Sequence, residues 1–122
     1  MEYKGRILIV DDEEAILKIL SIKLKVSGYE VLTASDGEAG LHLIRSEKPD
    51  VVLLDVILPK LTGLQVLEKL GRRKKIPVIV FSARAENAQK AMYLGASDFI
   101  DKPFDIDVLI RRIAKLLNHK TK

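Results

Sequence analysis

The sequence contains no cysteine and no tryptophan, and aromatic residues make up only 5% of its 122 positions. Without cysteine the chain can form neither a disulfide framework nor a thiolate site, which is typical of cytosolic proteins. Its apolar runs are far shorter than the roughly 20 residues that cross a bilayer, and no signal-peptide pattern precedes them. We therefore expect a cytoplasmic, globular protein with no membrane partner.

Aromatic residues are also missing where the positive charge is densest. The net charge is +4, and the densest basic run is Arg72-Arg73-Lys74-Lys75. Nucleic-acid surfaces interleave such charge with aromatic side chains, and this run has none. We interpret it as a solvated loop and expect no direct nucleic-acid binding by this domain.

Apolar runs alternate with segments of helical spacing along the whole chain. Continuous apolar runs are typical of buried parallel strands. The predicted strands cover residues 7–10, 30–34, 51–54, 77–81 and 98–100. The predicted helices cover 14–26, a segment opened by a capping box at 35–38, then 64–70, 86–94 and a final helix capped by Asp105.

Five strand-then-helix units without a long linker favour an α/β fold, a single domain over residues 1–122 with a doubly wound parallel sheet. Right-handed crossovers then place helices on both faces. We expect five parallel strands in the flavodoxin-like order 2-1-3-4-5. In such sheets, ligands bind beyond the carboxyl ends of the strands.

Polar side chains stand where several of these predicted strands end. Asp11 and Asp12 follow the first strand, Asp55 the third, Ser82 the fourth and Lys102 the fifth. Each has a simpler explanation when taken alone, as a helix cap, a turn residue or an exposed lysine. Because all five stand at the same end of successive strands, we expect them to form one pocket.

The chemistry of this pocket points to phosphoryl transfer. Two carboxylates about 4 Å apart repel by roughly 1 kcal/mol in water and about 4 kcal/mol at a partly shielded site. Oxygen ligands in an open acidic site favour Mg²⁺, and Lys102 and Ser82 suit the oxygens of a phosphoryl group. Asp55 is the best acceptor because it stands alone while the other acids form a pair.

This set of residues, together with Ala83 and Pro103, resembles the receiver domain of two-component response regulators. The resemblance covers about residues 6–117. It implies that Asp55 is the phosphoacceptor for a phosphohistidine donor, either a histidine kinase or a phosphotransfer protein. It also implies a Mg²⁺ site formed by Asp12, Asp55 and the backbone carbonyl of Ile57, with Asp11 acting largely through water.

The same resemblance implies a switch. Lys102 would pair with Asp55 and then with the phosphoryl group, and Ser82 would turn inward toward it. Phe99 would follow by moving from an exposed to a buried rotamer, and the Lys102–Pro103 bond would be cis. The fourth helix, last strand and final helix would form the signalling face. The spacing from Ser82 to Lys102 is about two residues shorter than in most receivers, so this face departs from the family's pattern.

The resemblance also implies partners and a slow reversal. An output domain or a downstream protein would read the signalling face, and the domain would be a monomer or a weak phosphorylation-dependent dimer. Exposed apolar residues on the first helix would dock the kinase. Ile57 and Arg84 occupy positions that tune loss of the phosphoryl group, and an apolar Ile57 predicts a long-lived phosphorylated state. The domain would catalyse only its own phosphorylation and slow dephosphorylation, and would not otherwise be an enzyme.

Two other functions use similar residues. A phosphatase of the haloacid-dehalogenase type combines Asp, Ser or Thr, Lys and Mg²⁺, but its nucleophile lies on the first strand with a second Asp two residues later. Here the acids are adjacent, and residue 57 is isoleucine. A receiver-like scaffold that never accepts phosphate is the other alternative, and the intact residue set argues against it.

Overall fold

The computed structural model describes residues 2–120, and the side chains of residues 2–118. Met1, Thr121 and Lys122, which the predicted domain includes, lie outside the described residues. The strands are β1 (Arg6–Val10), β2 (Glu30–Ala34), β3 (Val51–Asp55), β4 (Val78–Ser82) and β5 (Asp98–Asp101). The helices are α1 (Glu14–Val26), α2 (Gly37–Glu47), α3 (Gly63–Leu70), α4 (Asn87–Tyr93) and α5 (Ile106–Lys120).

The five strands form one parallel sheet in the order β2-β1-β3-β4-β5, which confirms the predicted topology. Successive side chains of a strand point to opposite faces of the sheet, so β1 contributes to two separate cores. Ile7 and Ile9 pack with α1 and α5, whereas Leu8 and Val10 pack with α2, α3 and α4. Burial on both faces explains why the strands read as unbroken apolar runs.

One helix start differs from the prediction. Asp36 is the N-cap of α2, and its side chain accepts a hydrogen bond from the Ala39 N–H at 2.7 Å. The expected capping box at residues 35–38 is therefore wrong, because Glu38 lies one position too early to close it. The start is fixed by tertiary contact, since a Cβ at Gly37 would lie 1.9 Å from the Leu61 carbonyl oxygen.

A capping box does open α3. Thr62 accepts from the Gln65 N–H at 3.1 Å, and the Gln65 side chain accepts from the Thr62 N–H at 2.9 Å. At the other predicted cap, Asp105 accepts from the Asp107 N–H at 2.8 Å, as expected. Among the residues that the structure describes, no helix combines the length and apolar character needed to cross a membrane.

Candidate functional site

Asp11, Asp12 and Asp55 meet at the carboxyl edge of the sheet. The two adjacent acids follow β1, and Asp55 is the last residue of β3. These strands are neighbours with Val10 paired to Leu54, so the next position along each strand brings Asp11 beside Asp55. One carboxylate oxygen from each of the three aspartates lies within 4.8 Å of the others. Strand register therefore assembles the acidic group.

Lys102 brings positive charge into this cluster from the end of β5. Its Nζ lies 3.1 Å from Asp11 Oδ2 and 3.1 Å from Asp55 Oδ2. The same nitrogen lies 4.9 Å from the centroid of the Phe81 ring, an arrangement that attracts a cation to the ring face. The Lys102–Pro103 peptide bond is cis, the isomer that the family resemblance implies.

Burial dominates the electrostatics of the two inner aspartates. Loss of water raises the pKa of Asp11, opposed by a hydrogen bond from the Glu13 N–H and by Lys102. Loss of water also raises the pKa of Asp55, and the Asp11 charge adds to that rise. Burial lowers the pKa of Lys102, but Asp55 and Asp11 outweigh it and the net shift is upward. The cluster thus carries more negative charge than one lysine offsets.

The donor set fits a hard divalent cation. Asp11 and Asp55 are buried, Asp12 is exposed, and all three offer carboxylate oxygens. Mg²⁺ binds through a few carboxylates while it keeps several waters, and a partly exposed ligand set leaves room for those waters. Asp11, Asp12 and Asp55 are the residues that would hold it. Ile57 lies two residues beyond Asp55 and is 59% exposed.

Asp11 also binds the backbone at the start of α1, much as a helix-capping residue would. Its Oδ1 accepts a hydrogen bond from the Glu13 N–H at 2.8 Å, while its Oδ2 faces Lys102. The N-cap of α1 is Glu13, whose side chain makes no capping hydrogen bond. One carboxylate therefore fixes the chain entering α1 and takes part in the acidic cluster.

Ser82 is buried at the end of β4 and follows Phe81, the residue that pairs with Asp55 across the sheet. Its Oγ accepts hydrogen bonds from the Arg84 N–H and from Asn87 Nδ2, both at 3.1 Å. Both acceptor positions of the hydroxyl are therefore used, and its own proton remains to be donated.

Phe99 is half-buried against the core beneath α4, rather than exposed. Asn87 was not anticipated from the sequence.

Glu13 is the other residue that the sequence interpretation missed. Its Oε1 lies 3.4 Å from Lys102 Nζ, so the single ammonium contacts Glu13 as well as Asp11 and Asp55. The signal was present in the sequence, because Glu13 directly continues the acidic pair. It was overlooked because acidic residues are common at helix starts for reasons unrelated to chemistry.

The loop after Asp55 is held by close backbone contacts. A Cβ on Gly63 would lie 2.1 Å from the Asp55 carbonyl oxygen, so α3 begins against the end of β3. The Gly37 N–H donates to the Pro59 carbonyl at 3.1 Å, which ties the same loop to α2. Lys60 accommodates the turn with a φ of 71°. The backbone around Asp55 is thus fixed from two sides.

A groove of about 420 Å³ adjoins the cluster, between α1 and the segment that follows β5. Its lining is apolar except for Glu13 and Lys102, and the remaining residues are Ile16, Ile19, Leu20, Ala83, Pro103, Phe104 and Ile106. Ile19 is exposed, as is Ile22 one turn further along α1. The groove therefore continues into an apolar strip on the outer face of α1.

Comparisons with known proteins agree on one family. A family model described as the response regulator receiver domain matches residues 7–114. The chain is 43% identical over 115 residues to the alkaline phosphatase synthesis transcriptional regulatory protein PhoP of Bacillus subtilis (strain 168), covering 92% of this chain and 48% of that protein. The chain spans about half the length of the curated relatives it matches.

Solved structures agree as well. The receiver domain of Francisella response regulator 1452 is 34% identical with a TM-score of 0.88, covering 97% of this chain and 99% of that one. A CheY-like response regulator receiver domain protein from Methanospirillum hungatei JF-1 is 34% identical with a TM-score of 0.89, covering 95% of each chain.

Proposed function

The chain belongs to the family of response regulator receiver domains, and on that premise we propose that Asp55 accepts a phosphoryl group from a phosphohistidine donor in a Mg²⁺-dependent reaction. The observation that carries this proposal is the buried Asp55 carboxylate, which shares Lys102 Nζ with Asp11 at 3.1 Å. A receiver is a signalling domain of two-component systems.

In the proposed reaction an Asp55 oxygen forms a bond to phosphorus while the bond from phosphorus to the donor's ring nitrogen breaks. The fixed loop after Asp55 holds the nucleophile in place, and Lys102 opposes the rise in the pKa of Asp55 that burial causes. Asp12, Asp55 and the backbone carbonyl of Ile57 would hold Mg²⁺, with Asp11 acting largely through water, and the ion would supply positive charge to the phosphoryl oxygens. Lys102 then pairs with the new phosphoryl group.

The proposed switch starts at Ser82. A phosphoryl group on Asp55 brings nearly two negative charges and strong acceptor oxygens. Ser82 turns to donate to one of them, and in doing so gives up the hydrogen bonds from Arg84 and Asn87. Phe99 moves into the space that Ser82 leaves. The face formed by α4, β5 and α5 changes with it, and a partner reads that change.

Receivers pair with histidine kinases and with output modules, and the specific partners here are proposals. We assign the groove beside α1 to docking of the kinase or phosphotransfer protein, because it is apolar and opens onto the cluster. The output is an output domain or a separate downstream protein. We propose a monomer or a weak phosphorylation-dependent dimer, acting in the cytoplasm where a kinase has access to ATP.

The direct test is incubation of the protein with Mg²⁺ and acetyl phosphate, followed by intact mass spectrometry. We expect one added phosphoryl group in the wild type and none in Asp55→Asn. The exposed Asp101, changed to Asn, is the matched control and should label normally. Absence of Mg²⁺-dependent labelling in the wild type would favour the receiver-like scaffold. Continuous turnover of a phosphate ester would instead favour the haloacid-dehalogenase type of phosphatase.

Ile57 predicts the lifetime of the phosphorylated state. Its exposed apolar side chain cannot orient an attacking water by hydrogen bonding. We expect purified phosphorylated protein to keep its label for minutes or longer and Ile57→Asn to lose it several times faster. Loss of the wild-type label within seconds would contradict this assignment.

A further inference from the structure

Glu13 stands between the acidic cluster and the adjoining groove. Its carboxylate contacts Lys102 Nζ at 3.4 Å, and its backbone N–H donates to Asp11 Oδ1 at 2.8 Å. The side chain is nevertheless 61% exposed. It is therefore anchored to the cluster through its backbone and through Lys102, while its charge faces the opening. Among the described residues that line the groove, Glu13 and Lys102 are the polar ones.

An in-line displacement sets where the leaving group sits. If an Asp55 oxygen attacks phosphorus, the departing atom lies on the opposite side of phosphorus from Asp55. Asp55 is buried at the floor of the cluster, so the departing group lies toward the opening. Glu13 lies at that opening. Its largely exposed carboxylate lines the groove, on the side toward which the leaving group departs.

Two classes of phosphodonor leave very different groups there. An acyl phosphate releases a carboxylate anion, which Glu13 repels. A phosphoimidazole with its second ring nitrogen protonated releases neutral imidazole. In that reaction the P–N bond breaks with its electron pair remaining on nitrogen, the P–O bond to Asp55 forms, and the ring keeps its N–H proton. Glu13 can accept a hydrogen bond from that N–H and so favours the protonated ring.

We infer that Glu13 is a specificity-determining residue that favours phosphoimidazole donors over acyl phosphates. The inference rests on the proposed role of Asp55 and adds a reason for donor choice. It also gives the groove a defined entry, because a histidine presented across the apolar lining reaches phosphorus beside Glu13.

The test measures labelling rates with acetyl phosphate and with monophosphoimidazole at saturating Mg²⁺, and takes their ratio. An effect of a substitution on the fraction of folded protein acts on both donors alike and cancels in the ratio. For Glu13→Gln we expect the rate with acetyl phosphate, relative to monophosphoimidazole, to rise by about three- to tenfold. Glu13→Ala should shift the ratio at least as far, because it also removes the acceptor of the ring N–H.

Glu14→Gln is the matched control. Glu14 is the neighbouring exposed acid in the first turn of α1, and it does not line the groove. Its loss removes the same formal charge, so its ratio should stay within about twofold of the wild type. The inference is overturned if Glu13→Gln leaves the ratio unchanged or if Glu14→Gln shifts it equally.

The two proposals fail in different ways. If the wild type is labelled by both donors but Glu13→Gln leaves the ratio of the two rates unchanged, the proposed role of Glu13 is wrong and that of Asp55 stands. If neither donor labels the wild type, or if Asp55→Asn labels at the wild-type rate, the proposed function fails and the role of Glu13 fails with it.

Discussion

Both ends of the sheet carry a cation that is shared among carboxylates, but the two charge clusters differ in their exposure to water. At the amino end, Arg6 pairs with Glu30 at 2.9 Å and with Glu47 at 3.3 Å, and these side chains are 35%, 39% and 43% exposed. At the carboxyl end, Lys102 and its two inner partners, Asp11 and Asp55, are only 14%, 0% and 7% exposed. The charged side chains at the amino end are therefore in contact with water, and those at the carboxyl end are largely shielded from it.

The cause of the pKa shifts differs accordingly. The pKa of Arg6 is raised chiefly by its hydrogen bond to Glu30, so pairing is what matters there. The pKa of Asp55 is raised chiefly by loss of water, so its pairing with Lys102 does not compensate for burial. The amino end is therefore an ordinary surface ion pair, whereas the carboxyl end keeps unfavourable negative charge that a bound cation can relieve.

The largest expected effect is that of Lys102→Met on the free energy of unfolding, measured by chemical unfolding in EDTA. Leaving Asp11 and Asp55 buried without their ammonium should lower the free energy of unfolding by about 3 kcal/mol at pH 7. The folded-state pKa of each acid is already raised, so folding favours the protonated form, and the loss should shrink as pH falls. The exposed Lys60→Met is the control, and an equal loss there would refute the contrast.

Binding of Mg²⁺ at the carboxyl end should stabilise the folded state. A ligand that binds only the folded state at about 100 times its dissociation constant stabilises that state by roughly 2.7 kcal/mol. We expect this gain for the wild type and most of it to be lost in Asp12→Asn, which removes one of the three carboxylates. Differential scanning calorimetry at matched ionic strength measures both. Equal stabilisation of the variant would argue against a site at Asp12.

Asp55→Asn should raise the free energy of unfolding, whereas most substitutions of buried residues lower it. In EDTA at pH 7 it removes a buried carboxylate whose pKa is raised, and Lys102 keeps Asp11 and Glu13 as partners. We expect a gain of about 1 to 2 kcal/mol in unfolding free energy. The gain should vanish as pH falls through the raised pKa, because wild-type Asp55 is then neutral too. Asp101→Asn, at an exposed position, should show no such gain.

The smallest expected effect lies at the amino end. Arg6→Met removes an exposed ion pair while keeping an aliphatic side chain beside β2. We expect a loss of stability that is smaller in magnitude than the three changes described above. The loss of stability should become smaller at about 1 M salt, because exposed ion pairs are weakened by screening. A loss that rivals Lys102→Met would mean that the two ends do not differ as described.

Much of the site could be predicted because its residues directly follow apolar runs. A strand buried on both faces must be apolar throughout, so its end is visible in the sequence, and the polar residue that follows stands out. Glu13 and Asn87 follow no such run. Their roles depend on Lys102 and Ser82, which approach from other elements. The α2 cap was misplaced for a related reason, since Ser35 and Asp36 both suit the N-cap and only the packing of Gly37 on Leu61 selects between them.

The sequence by itself determined the alternation of strands and helices, the strand ends that carry the acids, and the family. These follow from local patterns, because apolar periodicity and turn residues act over a few positions. Only the tertiary structure decided which charges meet, how deeply they are buried and where the opening lies. Lys102 and Asp11 are 91 residues apart in the chain, and their contact exists only because β1 and β5 end at the same edge of one sheet. Burial of these carboxylates, which no local pattern encodes, raises the pKa of Asp11 and Asp55.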